Sequence, residues 1–220
     1  MRTRRGLCGI IERSTCEALT SYTSVISWGV FEGCRISRTF FRRELAQVNN
    51  VLATATQIKE MADETGTIIK DWGGKVPIAL VYPNRYFLGM SNLGFQTVYH
   101  RLNQLANVVC ERVFLPESKD MDAARSGTGP LSVESQRPLA DFRIVAFSVS
   151  FENDFANIVH LLQLGKLTPY SSRRHQHEPL VVAGGVATFL NPEPIAPFID
   201  IFLLGEAENL LEDFVTAWQE

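Results

Sequence analysis

The sequence predicts an α/β fold built on a parallel sheet, and three observations carry that prediction. Short apolar runs recur at Val76–Tyr82, Val108–Leu115, Ile144–Phe151, Leu180–Ala183 and Ile199–Leu204, each too short for a buried helix. Between most of them the period changes to that of a helix. Pro, Asn, Ser or Gly closes nearly every run, as strand ends require. Strands alternating with helices mean βαβ units. Five strands at this spacing fit a flavodoxin-like (Rossmann-like) three-layer domain with strand order 2-1-3-4-5, preceded by a poorly defined N-terminal extension.

The extension covers residues 1–75. Residues 1–40 show no sustained period. Leu45, Val48, Leu52, Ile58 and Met61 lie at near-helical spacing, which predicts a helix over about 42–62. Gly66 to Lys75, ending in DWGGK, reads as a linker. The α/β domain then spans 76–220. Pro77 is tolerable at the start of the first strand, and Tyr82, Pro83 and Asn84 stop it. Leu93, Val98, Leu102 and Leu105 form one stripe of a helix over Leu93–Leu105. Pro116 ends the second strand, and 117–139 is a polar loop with room for a short helical turn. After the third strand, Asn153 or Asp154 can cap a helix over Phe155–Leu164, which Gly165 can end. The turn SSRRHQHEP leads to the fourth strand. Gly184 and Gly185 close it and begin a loop to Pro197. Gly205-Glu206 turns the fifth strand into a closing helix, Ala207–Trp218.

Composition excludes several functions. Hydrophobic residues make up 45% and charged residues 20%, enough apolar side chains for a real core, and a net charge of −3 gives no reason to expect nucleic acid as a partner. The sum hides an asymmetry: residues 1–50 hold eight Arg against four Glu, whereas 76–220 hold ten Lys/Arg against sixteen Asp/Glu. Arg35, Arg38, Arg42 and Arg43 interleave with Phe40 and Phe41. An RNA or anion contact is one reading of them, and a solvated leader is the preferred one. Cys8, Cys16, Cys34 and Cys110 form no CxxC and no cluster, so reduced thiols and a cytoplasmic location are expected. No apolar run approaches the ~20 residues that cross a bilayer.

In a parallel sheet the loops after the strands meet at one edge, where such folds bind ligands. Here those loops are Asn84–Asn92, Ser148–Asn153, Gly184–Asn191 and Gly205–Glu208, each of which carries small or polar residues. Gly184-Gly185 would let backbone approach a ligand closely, and Ser148 and Ser150 put hydroxyls at the end of an apolar strand. A nicotinamide site needs GxGxxG after the first strand, and PNRYFLG is not one. Nor does that loop resemble a flavin phosphate loop, and no aspartate ends the third strand as a receiver domain requires.

The segments YPNRYFLGMSNLGFQTVYHRLN, CERVFLP, FSVSFEND, VVAGGVATFLNPEPIAPFIDIFLLGEAE, in that order, resemble the N-terminal cobalamin-binding-like domain of a bacterial and archaeal family of radical SAM proteins. The resemblance covers about Val76–Asp213. Cobalamin-binding domains carry DxHxxG after the first strand, with the histidine as axial cobalt ligand, a serine motif after the third and a double glycine after the fourth. The resemblance places Asn84 at the aspartate, Tyr86 at the histidine and Gly89 at the glycine. It puts Ser148 and Ser150 at the serine motif, and Gly184 and Gly185 at the double glycine. Ser91, Asn92, Glu152, Thr188 and Glu206 complete the implied cofactor-binding set, with Asn153 and Glu208 as further polar candidates around the corrin's amides.

With no histidine in this loop, the resemblance implies base-off cobalamin without a protein imidazole, or a domain that kept the fold and lost the cofactor. Tyr86 is expected to shape the pocket floor, since a phenol with pKa near ~10 is a poor cobalt ligand at neutral pH. The family's chemistry belongs to a following barrel, where CxxxCxxC holds an iron–sulfur cluster that cleaves S-adenosylmethionine. No cysteines here have that spacing. The chain is thus expected to be a fragment, split product or accessory module with no catalytic residues and no metal ligands, partnered by a corrinoid and by a barrel in cis or trans. His175 and His177 read as a solvated turn, and Cys110 as a small buried hydrophobe. The competing reading is a cofactor-free α/β interaction domain that docks a barrel or its substrate.

Overall fold

The computed structural model describes residues 64–117, 121–127 and 129–219. The expected helix over 42–62 and the basic leader lie outside these residues. The first strand, β1 (Val76–Tyr82), sits centrally, with β2 (Val108–Phe114) on one side and β3 (Ile144–Ser148), β4 (Leu180–Gly184) and β5 (Ile201–Leu203) on the other. The five-stranded order is β2-β1-β3-β4-β5, with every pairing parallel. This is the expected topology, and strand order reverses between β1 and β3.

The period of two in β1 explains the layers. Ile78, Leu80 and Tyr82 face one core, and Ala79 and Val81 face the other. The first core is covered by α2 (Leu93–Gln104) and the closing helix α6 (Ala207–Gln219); the second lies against α4 (Phe155–Leu164). Both faces of β1 and β2 are buried, as an all-parallel sheet requires, and the edge strand β5 is partly exposed.

Several boundaries moved for physical reasons. The loop after β1 contains a short helix, α1 (Tyr86–Met90), and the one after β4 contains another, α5 (Val186–Leu190). Five residues are too few to show a period, so neither was legible. A third short helix, α3 (Met121–Ser126), fulfils the expected turn. The third strand ends at Ser148, although the Val149 N–H still reaches the Gly184 carbonyl of β4 at 2.8 Å. The fifth starts only at Ile201, because Asp200 takes the Val181 N–H with its carboxylate at 2.8 Å. A 3-10 turn, Glu193–Phe198, occupies the chain before it. Neither predicted cap operates on α4: the 3-10 turn Glu152–Asp154 leads into it, and the Asp154 side chain makes no capping bond. Gly165 does end that helix, its N–H reaching the Leu161 carbonyl at 2.8 Å.

The stretch read as a linker is tied to the sheet. Lys70 Nζ donates to the carbonyls of Asn103, Leu105 and Val108. Trp72 Nε1 donates to Glu111 at 2.7 Å, and the indole packs against Phe142 with ring centroids 4.9 Å apart. Among the described residues no helix is long and apolar enough to cross a membrane.

Candidate functional site

A pocket of about 650 Å³ opens at the carboxyl edge of the sheet. Its floor is the sheet face of Ile78, Leu80, Ile144, Ala146, Val182 and Leu203; its walls are Val98 and Leu102 of α2 and Leu210, Leu211 and Phe214 of α6. The cavity is therefore a gap between one sheet face and the two helices that cover it. Ser148, Ser150, Asn92, Gly184, Gly185 and Gly205 surround its strand-end side.

Polar groups here are few and placed by the fold. Asn92 Oδ1 accepts the Phe95 N–H at 2.9 Å and caps α2, while its Nδ2 donates to Ser150 Oγ at 3.0 Å. One side chain thus starts a pocket helix and ties it to the β3 loop. Ser148 stands opposite Gly184 in the ladder. Its hydroxyl has no hydrogen-bond partner among the described residues, a polar group left over on a mostly apolar lining.

The double glycine has an internal explanation. Gly185 has φ +109°, and a Cβ there would sit 2.5 Å from the Val149 carbonyl oxygen. Backbone packing of the β3 and β4 loops demands glycine at that position, so close approach by a ligand is not needed to account for it.

Other expected site residues turn elsewhere. Tyr86 does not form the pocket floor: its hydroxyl donates to Glu64, and its ring stands edge-on to Phe114 at 5.2 Å. Gly89 is buried against Phe114 and Tyr82. Asn84 Nδ2 donates to Asp154 Oδ1 at 2.7 Å, and Ser91 Oγ donates to the Phe87 carbonyl at 2.6 Å. Thr188 is fully buried, its hydroxyl donating to the Gly185 carbonyl at 2.8 Å, which braces α5 from within. Glu152 and Glu206 are exposed and outside the lining. The loops meet at one edge, but Asn92, Ser148, Ser150, Gly184 and Gly185 are the expected residues that reach the pocket.

Two groups escaped the sequence reading. The carboxylate of Asp154 is buried where strand order reverses, its Oδ2 without a hydrogen-bond partner among the described residues, and burial pushes its pKa up against the opposing bond from Asn84. The second is an ion cluster on β2. Arg112 Nε donates to Glu134 at 2.6 Å, and its terminal nitrogens to Glu64 at 2.9 and 2.7 Å. Its guanidinium also lies 4.7 Å from the Tyr99 ring centre. Burial raises the Glu64 carboxyl, but the bonds from Arg112, Thr67 and Tyr86 outweigh it and hold the group below its ordinary value. Glu134 is buried more deeply, and there desolvation wins and the pKa rises. The signal was present in VVCERVF, where two charges interrupt an apolar strand and must find partners.

His175 and His177 stack with ring centroids 5.4 Å apart on an exposed turn. No group of three His, Cys, Asp or Glu that could hold a metal gathers among the described residues. Cys110 is a buried free thiol whose pKa desolvation raises, as befits a small hydrophobe.

Residues 94–220 match the family described as radical SAM proteins, N-terminal. The chain belongs to that family. The matched region of this radical SAM N-terminal domain takes in α2, the pocket floor from β3 to β5 and the closing helix, and it starts after the β1 loop that carries Asn84, Tyr86 and Gly89. The chain is also similar to uncharacterized protein MJ0966 of Methanocaldococcus jannaschii, 23% identical over 132 residues, which are 60% of this chain and 24% of that protein. The chain thus spans about a quarter of that relative's length. No solved structure matches it.

Proposed function

We propose that this domain holds a corrinoid at the carboxyl edge of its sheet, base-off and without a protein imidazole, for chemistry in a radical SAM barrel elsewhere in the protein. One observation carries the reading: an apolar pocket between sheet and helices opens at the strand ends, with the half-buried Ser148 hydroxyl, unpartnered among the described residues, on its lining. An apolar lining suits the face of a corrin ring, whose amide rim needs hydrogen-bonding partners. Ser148, Ser150 and Asn92 supply the hydrogen bonds, and Ala146, Val98 and Phe214 supply contact area. No histidine belongs to the β1 loop, and Tyr86 is engaged with Glu64. When bound, the corrinoid supplies methyl-transfer or radical chemistry, and the domain's part is to orient it. S-adenosylmethionine and the iron–sulfur cluster belong to the barrel, and a reduced cytoplasmic setting suits the free Cys110 thiol.

Titration of the whole chain with hydroxocobalamin and methylcobalamin, followed by absorbance and calorimetry, tests this. Saturation near one equivalent is expected, with affinity reduced at least ~10-fold by Ala146→Leu, which fills the pocket floor, and a ligand-free melting temperature no lower than that of the wild type. Absence of binding at ~100 μM overturns it.

A second reading has its own support. Phe87, Leu88, Leu93, Phe151, Val186, Phe189, Leu190 and Leu204 are all exposed, and all lie in the segments that follow strands. Such an apolar edge suits docking of a barrel. This reading takes the lead if corrinoid does not bind and Phe189→Asp separates the domain from its barrel in the longer protein.

A further inference from the structure

A cluster of partly buried polar contacts converges on α1, in the loop between β1 and the pocket helix. Tyr86, the first residue of α1, donates its hydroxyl to Glu64. Met90, the last, receives Arg112 Nη1 on its sulfur at 3.2 Å. Arg112 in turn grips both oxygens of Glu64, and the Arg112 and Glu64 side chains are 3% and 11% exposed. Gly89 closes the packing from beneath, because a Cβ there would meet Phe114 at 2.4 Å. Both ends of one short helix are therefore held by a single ion pair whose acidic member comes from the chain before the sheet. Just past α1, Asn92 caps α2, bonds to Ser150 and lines the pocket.

We propose that Glu64 and Arg112 form a clasp that fixes the β1 loop, so that the segment before the sheet positions Asn92 at the pocket mouth. The inference rests on the proposed function for what the pocket receives, and on geometry alone for the clasp. Five residues make too short a helix to persist unaided, and Phe87 and Leu88 give α1 little burial of its own, at 78% and 48% exposed. Its order must come from contacts at Tyr86, Gly89 and Met90. A bidentate, desolvated arginine–carboxylate pair is the strongest of those available. Glu64 is a positioning residue here, acting through Tyr86 and Arg112.

Hydrogen exchange of amides 85–92 in the ligand-free chain tests the clasp, comparing wild type, Tyr86→Phe, Glu64→Gln and the double variant. Tyr86→Phe keeps the ring on Phe114 and removes one hydroxyl, so it folds even where Glu64→Gln does not. Exchange of the loop is expected to quicken about tenfold in Tyr86→Phe, the effect of one charge-assisted hydrogen bond, while the β3 and β4 amides keep wild-type protection. The double variant should be no faster than Glu64→Gln. Unchanged loop exchange in Tyr86→Phe, or equal quickening across the sheet, overturns the clasp. Where the wild type binds hydroxocobalamin, Tyr86→Phe should bind it several-fold more weakly; equal affinity with a loosened loop overturns the positioning role. A wild type that does not bind defeats the proposed function alone, and the exchange result still decides the clasp.

Discussion

Replacing Arg112 by leucine should be among the most destabilising single changes available in the described sheet. The substitution removes the cation between Glu134 and Glu64, whose side chains are 1% and 11% exposed. Glu64 has a route to water; Glu134 has none. It keeps the Arg112 backbone N–H, at 2.8 Å, and little else of its present charge compensation. Breaking a buried pair by deleting one partner costs about 3–5 kcal/mol, and for a domain of this size each kcal/mol lowers Tm by roughly 2–4 °C. A fall of roughly 6–20 °C is therefore expected near neutral pH, with an unchanged urea m-value. The loss should shrink on acidification, because Glu134, already pushed up by burial, can then take a proton and become neutral. Adding Glu134→Leu should recover most of the loss, since an apolar pair of similar volume does without the desolvation cost. A loss under about 1 kcal/mol for the single variant, or no recovery in the double, would refute the description of this pair as desolvated and mutually dependent.

The other expected outcomes concern single contacts. Gly185→Ala should cost more than about 2 kcal/mol in urea unfolding with no ligand present, because φ +109° is strained for alanine and its Cβ meets the Val149 backbone; a neutral result would contradict the backbone path. Asp154 has a folded pKa raised above its ordinary 3.8 by burial, so the folded state holds that proton more tightly than the unfolded chain. Its stabilising share is complete below 3.8 and is lost as pH rises through the raised value. Melting curves over about pH 4 to 7 should show that decline reduced in Asp154→Asn. Trp72→Phe keeps the ring on Phe142 and removes the N–H that Glu111 accepts, so a loss of about 1–3 kcal/mol is expected; fluorescence-independent unfolding by circular dichroism measures it.

The order of strands was legible because each apolar run is bounded by a residue that stops a strand for a known reason. Pro83 and Pro116 remove backbone donors, and Gly205, at φ +141°, accepts a turn that side chains resist. The short helices α1 and α5 were not legible, because a five-residue helix has no second turn to show a stripe. The role of Asp154 was misread for a related cause: next to a helix start, a capping aspartate and a buried one have the same sequence, and the 3-10 turn before α4 decides between them. The stretch Gly66–Lys75 looked like a linker because it is polar and glycine-rich. Its lysine and tryptophan are nonetheless bonded to β2 and the chain just before it, a long-range fact that no local pattern carries.

The same distinction governs which residues at the edge say anything about a ligand. A small or polar residue in a strand-end loop answers either to the fold or to something bound, and the fold has the first claim. Gly185 is demanded by Val149, Gly89 by Phe114, and Thr188 is spent on the Gly185 carbonyl. Asn92 caps a helix. None of these residue types therefore counts as evidence for a cofactor, and substituting Gly185 would damage the β3–β4 junction before it tested any pocket. What the fold leaves unexplained is smaller: the Ser148 hydroxyl, without a partner among the described residues, and the gap over Ala146 that α2 and α6 span without filling. A sheet face this apolar gains by closing such a gap, at about 25 cal/mol per Å², so an unfilled one carries a standing cost. Ala146→Leu therefore serves a second purpose. If the gap has no occupant, the larger side chain should raise stability with no functional loss; if a cofactor fills it, the gain in the free domain is matched by lost affinity.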